Sequence, residues 1–287
     1  MAKAYVFYNP KAGQGIKEYD LASLYVTLRD EIVFCDMTKP ETYDSVLFSL
    51  EDDDYIVICG GDGTLNRFIN YTEGEEIKNR VFYYPVGTGN DFAHDRGKLP
   101  GDPPFEVTCC IKNLPITEVN GHSYRVLNGV GYGIDGYCCQ VGDEMRASGN
   151  KKVNYTAIAI KGLLFNYKPT SAKVTVDGKS YSYKNVWLAP TMKGRYYGGG
   201  MMPTPSQNRS DKNGKLSLMV FTGKSKLKTL MIFPSIFKGE HIKHTESVHI
   251  HEGYDITVEF DRPSPLQVDG ETILGVTKYR VFSTTKQ

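Results

Sequence analysis

Residues 56–66 constrain the fold of this 287-residue chain more than any other segment. They start as an apolar run, Ile-Val-Ile-Cys, which is typical of a buried strand in a parallel sheet. Three glycines then surround Asp62, and the apolar residues Leu65, Phe68 and Ile69 follow at helical spacing. The segment therefore predicts a strand, a glycine turn and a helix that follow one another without an intervening loop.

The predicted glycine turn is suited to binding phosphate. Glycines let backbone N–H groups approach a polyanion closely, and the N-terminus of the following helix adds partial positive charge. A carboxylate in such a turn repels phosphate, so Asp62 points to a divalent cation or to a proton that it accepts. The alternative is a tight structural turn in which Asp62 caps the helix.

Two other predicted strands end in comparable turns. Residues 4–8 run into Asn-Pro-Lys-Ala-Gly at 9–13, and residues 81–84 run towards Gly-Thr-Gly-Asn-Asp-Phe-Ala at 87–93. Because the carboxyl ends of parallel strands lie along one edge of a sheet, the three turns can line one crevice. Thr38 follows a further predicted strand at residues 31–36 and belongs to the same edge, where by spacing alone it is equally well a helix cap.

With these three turns in this order, the chain resembles the diacylglycerol kinase catalytic family, the soluble bacterial lipid kinases related to sphingosine and ceramide kinases. Further similarity at residues 127–135 and 194–203 extends the resemblance over nearly the whole chain. It implies ATP and Mg²⁺ as cofactors. The nucleotide site that it implies consists of Asn9, Pro10, Lys11, Ala12, Gly13, Thr38, Gly60, Gly61, Gly63, Thr64, Leu65, Asn66 and Thr88.

Two Asp-Gly hairpins are predicted, at residues 174–179 and 267–271, and such a turn needs no function. They differ one residue beyond the glycine, where the first has Lys179 and the second has Glu271. The resemblance makes Glu271 the general base for the lipid hydroxyl, a role that contributes about 10²–10⁴-fold in rate. Related sphingosine kinases assign this role to the aspartate of the glycine turn, so Asp62 remains the alternative base.

The resemblance also implies a structural Mg²⁺ at Ser210, Asn213 and Lys215. Family members usually have an Asp-Gly-Leu segment there, whereas this chain has Asn213, with Asp211 two residues earlier. Hard cations prefer carboxylate and carbonyl oxygens. Whether this chain keeps the second metal site is therefore left open.

The length of the chain, and a change in its sequence pattern near residue 100, predict two domains. Residues 1–100 alternate strands and helices, which predicts an α/β nucleotide-binding domain with a parallel sheet. A segment rich in Gly and Pro at 97–104 marks the junction. Residues 101–287 predict a mainly antiparallel β-sandwich for the lipid substrate, with one clear helix at 154–167 and with the active cleft between the domains.

Charge and cysteine content suggest where the protein works. Residues 1–100 carry ten Lys and Arg against seventeen Asp and Glu, whereas residues 101–287 carry 24 against 16. The basic part could face anionic lipid, or the segregation could be coincidental. The six cysteines lack Cys-x-x-Cys spacing and indicate reduced core residues. We expect a cytoplasmic protein, peripheral at the membrane surface, with no nucleic-acid partner; a homodimer is left open.

The leading interpretation is an ATP-dependent lipid kinase that transfers the γ-phosphate to a hydroxyl of a lipid such as diacylglycerol. An NAD kinase-like enzyme is the first alternative, because its glycine turn looks alike, but its Gly-Ser-Thr-Ala-Tyr segment does not occur here. A non-catalytic nucleotide or lipid sensor on the same fold is the second alternative. The sequence does not choose among lipids, because acyl-chain pockets have no recognisable motif.

Overall fold

The computed structural model describes residues 2–11, 16, 21–72, 77–87, 89–150 and 153–285. The chain forms two compact units, Met1–Lys112 and Asn113–Gln287. The first unit is built on a five-stranded sheet with the order β2-β1-β3-β4-β5. Its strands are β1 (Lys3–Tyr8), β2 (Glu31–Asp36), β3 (Tyr55–Gly60), β4 (Arg80–Pro85) and β5 (Phe105–Glu106).

Strands β1 to β4 are parallel, as predicted from the alternation of strands and helices. The short β5 runs antiparallel to β4. This pairing holds the chain in the first unit as far as Lys112, twelve residues beyond the domain boundary expected after residue 100. The described helices of this unit are α1 (Ala22–Thr27), α2 (Pro40–Ser49), α3 (Asp62–Tyr71) and α4 (Asp91–Asp95).

The segment from β3 to α3 folds as predicted. Every residue of β3 is buried, which explains its unbroken apolar run. Leu65, Phe68 and Ile69 form the buried face of α3. The first described helix, α1, begins at Ala22, and residues 17–20 before it lie outside the described part.

The second unit is an antiparallel sheet of ten described strands in the order β7-β6-β15-β14-β8-β11-β12-β10-β9, with β13 paired to β12. The long β14 pairs with β15, β8 and β9, so the sheet closes on itself around an apolar core. These strands are β6 (Ile116–Val119), β7 (His122–Arg125), β8 (Gly129–Tyr132), β9 (Thr170–Val176), β10 (Lys179–Leu188), β11 (Thr191–Met192), β12 (Leu216–Thr222), β13 (Val248–Gly253), β14 (Asp255–Val268) and β15 (Glu271–Phe282). The predicted fold class is thus confirmed for both units.

The helix predicted at 154–167 is confirmed as α6 (Tyr155–Lys161), which continues into a π-helical turn at Gly162–Asn166. Asn154 caps α6, since its side chain accepts the Ala157 N–H at 3.0 Å. The sequence pattern did not indicate the other helices of this unit. The structure adds α5 (Ile134–Ala147), α7 (Lys226–Ile232) and two 3-10 segments, Phe233–Lys238 and Glu240–Lys243.

Two glycines inside α5 explain why the sequence pattern did not indicate this helix, because glycine is a poor helix former. A Cβ on Gly136 would lie 2.0 Å from the Pro265 carbonyl oxygen, and a Cβ on Gly142 would lie 2.8 Å from the Tyr155 ring. The close packing of α5 against its neighbours therefore requires the residues that weaken its helical signal.

None of the six cysteines is disulfide-bonded. Cys35, Cys59 and Cys138 are buried, as expected for core residues. Cys109 is exposed, because it lies in a turn after β5, so the expectation was wrong for this residue. Within the described residues, no helix combines the length and the apolar character needed to cross a membrane.

Candidate functional site

The predicted turns of the first unit follow the carboxyl ends of its parallel strands. Asn9 follows β1, Thr38 lies two residues beyond β2, and the glycine turn follows β3. Because β1 lies between β2 and β3, the chain leaves the neighbouring strands β1 and β3 towards opposite sides, which creates a crevice at that edge. Three predicted nucleotide-site residues, Ala12, Gly13 and Thr88, lie outside the described residues.

Short polar contacts order the turns after β1 and β2. The Lys11 N–H donates to Asn9 Oδ1 at 2.9 Å. The Thr38 N–H and hydroxyl both donate to Asp36 Oδ1, at 2.8 and 2.7 Å. Burial acts to raise the pKa of Asp36, but these bonds and the charges of Lys39 and Lys11 hold it below its ordinary value. Asp36, which sequence reasoning missed, is therefore an ionised carboxylate at the candidate site.

Packing explains most glycines of the glycine turn. A Cβ on Gly60 would lie 2.3 Å from Thr64 Oγ1, and a Cβ on Gly87 would lie 2.4 Å from Gly61 Cα. The turns after β3 and β4 therefore contact each other backbone to backbone. Gly63 differs, since a Cβ at this exposed position of α3 would meet nothing within 4 Å. The fold does not require a glycine there.

Asp62 connects the glycine turn to the start of α4. Its Oδ2 accepts the Asp91 N–H at 2.7 Å, and its Oδ1 accepts the Phe92 N–H at 3.0 Å. The cap foreseen as the structural alternative therefore exists, but it serves α4 rather than α3, the helix to which Asp62 belongs. Each carboxylate oxygen has a second lone pair, so this role is compatible with binding a cation.

Three further residues of the predicted nucleotide site point their side chains into the unit. Thr64, Leu65 and Asn66 are all buried in α3. The Asn70 side-chain amide donates to the carbonyl oxygen of Asn66 at 3.0 Å and to its side-chain oxygen at 3.3 Å. Gly63, in the first turn of α3, is exposed, so a ligand can approach the helix at this point.

In the second unit, both predicted Asp-Gly hairpins are confirmed. Asp177 and Gly178 have φ of 47° and 82°, and Asp269 and Gly270 have φ of 48° and 95°. Positive φ at both central residues is the signature of a type I′ turn. The first turn joins β9 to β10, and the second joins β14 to β15.

The two turn aspartates perform the same structural task. Asp177 Oδ1 accepts the N–H groups of Tyr254 and Asp255, both at 2.9 Å. The Asp269 carboxylate accepts three consecutive N–H groups, those of residues 127–129, at 2.6, 2.7 and 3.0 Å. Each hairpin tip is therefore tied to a neighbouring backbone segment, and neither aspartate needs a catalytic role to explain it.

Glu271 begins β15 and is exposed beside α5. The hydroxyl of the next residue, Thr272, donates to Asp143 Oδ2 of α5 at 2.6 Å. Burial raises the pKa of the Cys139 thiol, also on α5, to about 12, and the negative charge of Glu271 adds to this effect. A solvent-exposed carboxylate is thus held next to a helix that sequence reasoning did not predict.

Asp135, in the first turn of α5, is a buried carboxyl that the sequence analysis did not select as a site residue. Its Oδ1 accepts the Gly136 N–H at 2.9 Å, and its Oδ2 accepts the Tyr197 hydroxyl at 3.1 Å. Burial raises its pKa to about 6. The available signal was its position directly after the glycine-rich strand at 127–134, where an acidic residue interrupts an otherwise apolar segment.

We expect Asp135→Asn to change the pH dependence of stability. The folded pKa of about 6 exceeds the unfolded value near 3.9, so the native state binds more protons and stability falls as pH rises from about 4 to 6. The difference in unfolding free energy between wild type and Asp135→Asn should change by about 3 kcal/mol over that range. Urea unfolding followed by the fluorescence of Trp187, the single tryptophan, measures it. A pH-independent difference would contradict the prediction.

The segment implied to hold a second metal forms a closed turn. Asp211 Oδ2 accepts the Lys215 N–H at 2.9 Å, and the Ser210 N–H donates to Asn208 Oδ1 at 3.0 Å. The Asn213 carbonyl oxygen accepts the Ser283 hydroxyl at 3.5 Å. Asp211 is the one carboxylate of the turn. Across the described ranges, no three His, Cys, Asp or Glu residues are grouped to hold a metal. The residues present do not fit a carboxylate-rich Mg²⁺ site.

The comparisons with known proteins agree with this architecture. Residues 3–117 match the family model of the diacylglycerol kinase catalytic domain, and residues 128–281 match that of the YegS C-terminal NAD kinase beta sandwich-like domain. A diacylglycerol kinase of Mycobacterium tuberculosis is 26% identical over 231 residues, which cover 75% of this chain and 73% of that protein.

Two crystal structures from Bacillus anthracis have the same fold. One, of a diacylglycerol kinase, superposes with a TM-score of 0.66 at 22% identity and covers 98% of this chain and 94% of the other. The second gives a TM-score of 0.71 at 21% identity and covers 99% and 92%. The fold and the matched domains define a class of two-domain lipid kinases. The chain belongs to the family within that class that is defined by the YegS C-terminal NAD kinase beta sandwich-like domain, and its N-terminal part matches the diacylglycerol kinase catalytic domain.

Proposed function

We propose that this protein is an ATP-dependent lipid kinase that transfers the γ-phosphate of ATP to a hydroxyl group of a lipid such as diacylglycerol. Its membership of a lipid-kinase family supports the reaction class. The name of the Mycobacterium tuberculosis relative supports diacylglycerol as a first candidate substrate.

The nucleotide part of this proposal rests on the observation that the fold does not require a glycine at position 63. Packing explains Gly60, Gly61 and Gly87, but a side chain at Gly63 would meet open space. Glycine in a helix is less favourable than alanine by up to about 1 kcal/mol. A phosphate group that approaches the first turn of α3 closely gives a reason for accepting this cost.

The described residues then take the following roles. Backbone N–H groups at the start of α3 bind phosphate oxygens, and Lys11 and Thr38 contact the nucleotide from the ends of the neighbouring strands. When bound, Mg²⁺ neutralises charge on the phosphates, and Asp62 is the carboxylate that would hold it. The lipid hydroxyl oxygen bonds to the γ-phosphorus while the bond between the γ-phosphorus and ADP breaks, and a Glu271 carboxylate oxygen accepts the proton of that hydroxyl.

The direct test incubates the full-length protein with γ-labelled ATP and Mg²⁺ in detergent micelles that each contain one hydroxylated lipid. Diacylglycerol, phosphatidylglycerol and sphingosine form the first panel, and NAD is tested in parallel. We expect label in one lipid and an equal amount of ADP. Label in NAD alone would identify an NAD kinase, and ATP binding without transfer to any acceptor would identify a sensor.

Alanine substitutions at two glycines separate the phosphate role from packing. Gly63→Ala should keep or slightly raise the stability, because alanine favours the helix. It should also raise the KM for ATP about tenfold, equivalent to about 1.4 kcal/mol of binding free energy. Gly87→Ala should lower the stability by about 1–3 kcal/mol, since its Cβ would overlap backbone. Thermal unfolding measures the stability, and kinetic assays at varied ATP concentration measure the KM. An unchanged KM in Gly63→Ala would contradict a role for Gly63 in phosphate binding.

A further inference from the structure

One face of the second unit exposes large apolar side chains among lysines. It comprises residues 160–168, from the end of α6 through the π-helical turn, and residues 224–243, which contain α7 and both 3-10 segments. We call this face the lysine-rich helical surface. Its two segments adjoin, since Lys226 Nζ donates to the Leu164 carbonyl oxygen at 3.0 Å.

Helix α7 is apolar on two sides. Ile232, together with Phe233 just beyond the helix, is buried in the core beneath it. Leu227 and Met231, one turn apart, are 68% and 75% exposed on the other side. One apolar face suffices to pack a surface helix on a core. The outer apolar face therefore needs a separate explanation.

The π-helical turn contributes a third large apolar side chain to this surface. Leu163 is buried, whereas Phe165 is 73% exposed. The turn is closed by the Tyr167 N–H, which donates to the Gly162 carbonyl oxygen at 2.8 Å. Such wide turns are found frequently at functional sites. Ile160, Phe237 and Ile242 are further exposed apolar residues of the surface.

The charge of this surface is strongly one-sided. Its two segments contain seven lysines, and Glu240 is their single acidic residue. Lys243 pairs with Glu240 at 3.7 Å, and Lys228 pairs with Glu246, just outside the surface, at 2.8 Å. The other five are Lys161, Lys168, Lys224, Lys226 and Lys238. The surface therefore carries a net positive charge next to its apolar side chains.

We propose that the lysine-rich helical surface docks on an anionic lipid bilayer. Its apolar side chains enter the headgroup region, and its lysines meet lipid phosphates, as in helices that lie in the plane of a membrane surface. This inference rests on the proposed function, since a lipid kinase meets its substrate in a bilayer. A symmetric dimer through the same surface would instead bring two sets of lysines together, which like-charge repulsion opposes.

The test measures flotation of the full-length protein with phosphatidylcholine vesicles, with and without phosphatidylglycerol. Binding should increase with phosphatidylglycerol and decrease with salt. Leu227→Gln combined with Met231→Gln should lower the partition coefficient at least about tenfold, because two exposed side chains no longer enter the bilayer. Both positions are exposed, so the fold should be retained.

A matched control removes two exposed apolar side chains from other places. Phe48, in the acidic first unit, is 90% exposed, and Leu274, on β15, is 60% exposed. Phe48→Gln combined with Leu274→Gln should bind vesicles within about twofold of wild type. Equal losses in both double variants would overturn the proposal. So would wild-type binding by the Leu227 and Met231 variant, or a wild-type dimer that this variant converts to a monomer.

Kinase assays distinguish failure of the docking surface from failure of the proposed function. The Leu227 and Met231 variant should phosphorylate lipid in detergent micelles like wild type but lose activity on vesicles in proportion to its lost binding. Equal activity on vesicles would overturn docking through this surface. If wild type phosphorylates no lipid in either form, the proposed function fails, and vesicle flotation still decides whether this surface binds bilayers.

Discussion

Asp62→Asn is expected to lower kcat for lipid phosphorylation by at least about 10²-fold, the effect of losing one key electrostatic group at a reacting centre. The asparagine has nearly the same shape but no charge, so it no longer attracts a cation that neutralises the transferring phosphate. Steady-state assays in detergent micelles measure the effect at saturating ATP. Activity within a few-fold of wild type would contradict a catalytic role for Asp62.

The structure adds a stability effect to this variant. Both Asp62 oxygens accept backbone N–H groups, from Asp91 and Phe92, and an asparagine can accept only one of them. The unpaired donor at the start of α4 should cost about 1–3 kcal/mol of unfolding free energy. A loss of activity must therefore be separated from a loss of folded protein.

Phe92→Leu is a matched control for this separation. Phe92 is fully buried in α4 and packs against Tyr83 and Phe105 at centroid distances of 5.9 and 6.4 Å. The substitution lowers stability through packing by about 1–2 kcal/mol while both N–H donors and the Asp62 carboxylate stay in place. It should keep kcat near wild type well below its melting temperature. A comparable kcat loss in this control would assign the effect of Asp62→Asn to the junction with α4.

Local patterns predicted the parts of the fold that local chemistry determines. The apolar run of β3 is continuous because both faces of a central parallel strand are buried, so the run itself indicated the strand. Both Asp-Gly turns could be predicted because few residues adopt positive φ at two successive positions. The glycine turn between β3 and α3 was recognisable because close packing, and not positive φ, restricts its residue types.

The missed features depend on contacts between distant residues. Asp62 lies 29 residues from Asp91 in the sequence. No local pattern therefore indicates that its carboxylate caps α4, the helix that follows β4. The contact between Gly61 and Gly87 likewise joins two turns that follow different strands. Helix α5 was overlooked because its glycines fit neighbouring elements that the sequence does not show to be close. The resemblance named the turns of the candidate site, and the folded chain was needed to separate packing glycines from Gly63.

Glu271→Gln is expected to remove most lipid phosphorylation while ATP binding is retained. Glutamine keeps the shape and hydrogen-bonding capacity of the side chain but cannot accept a proton at neutral pH. A positioned general base contributes about 10²–10⁴-fold, so kcat should fall within that range. Because Glu271 is exposed, the melting temperature should change little. Micelle assays with the preferred lipid, together with ATP titration of the same preparation, measure both properties.

The look-alike hairpin supplies the control within the same chain. Lys179 occupies the position that corresponds to Glu271, one residue after the glycine of a type I′ turn whose aspartate also binds neighbouring N–H groups. Lys179→Gln should therefore act nearly like wild type, since both hairpins owe their shape to the Asp-Gly pair and not to the residue after it. The acidic limb of the pH–rate profile should disappear in Glu271→Gln alone if that limb reports the base. Normal phosphorylation by Glu271→Gln would leave Asp62 as the base, or no side chain at all, and would make Glu271 an ordinary hairpin residue.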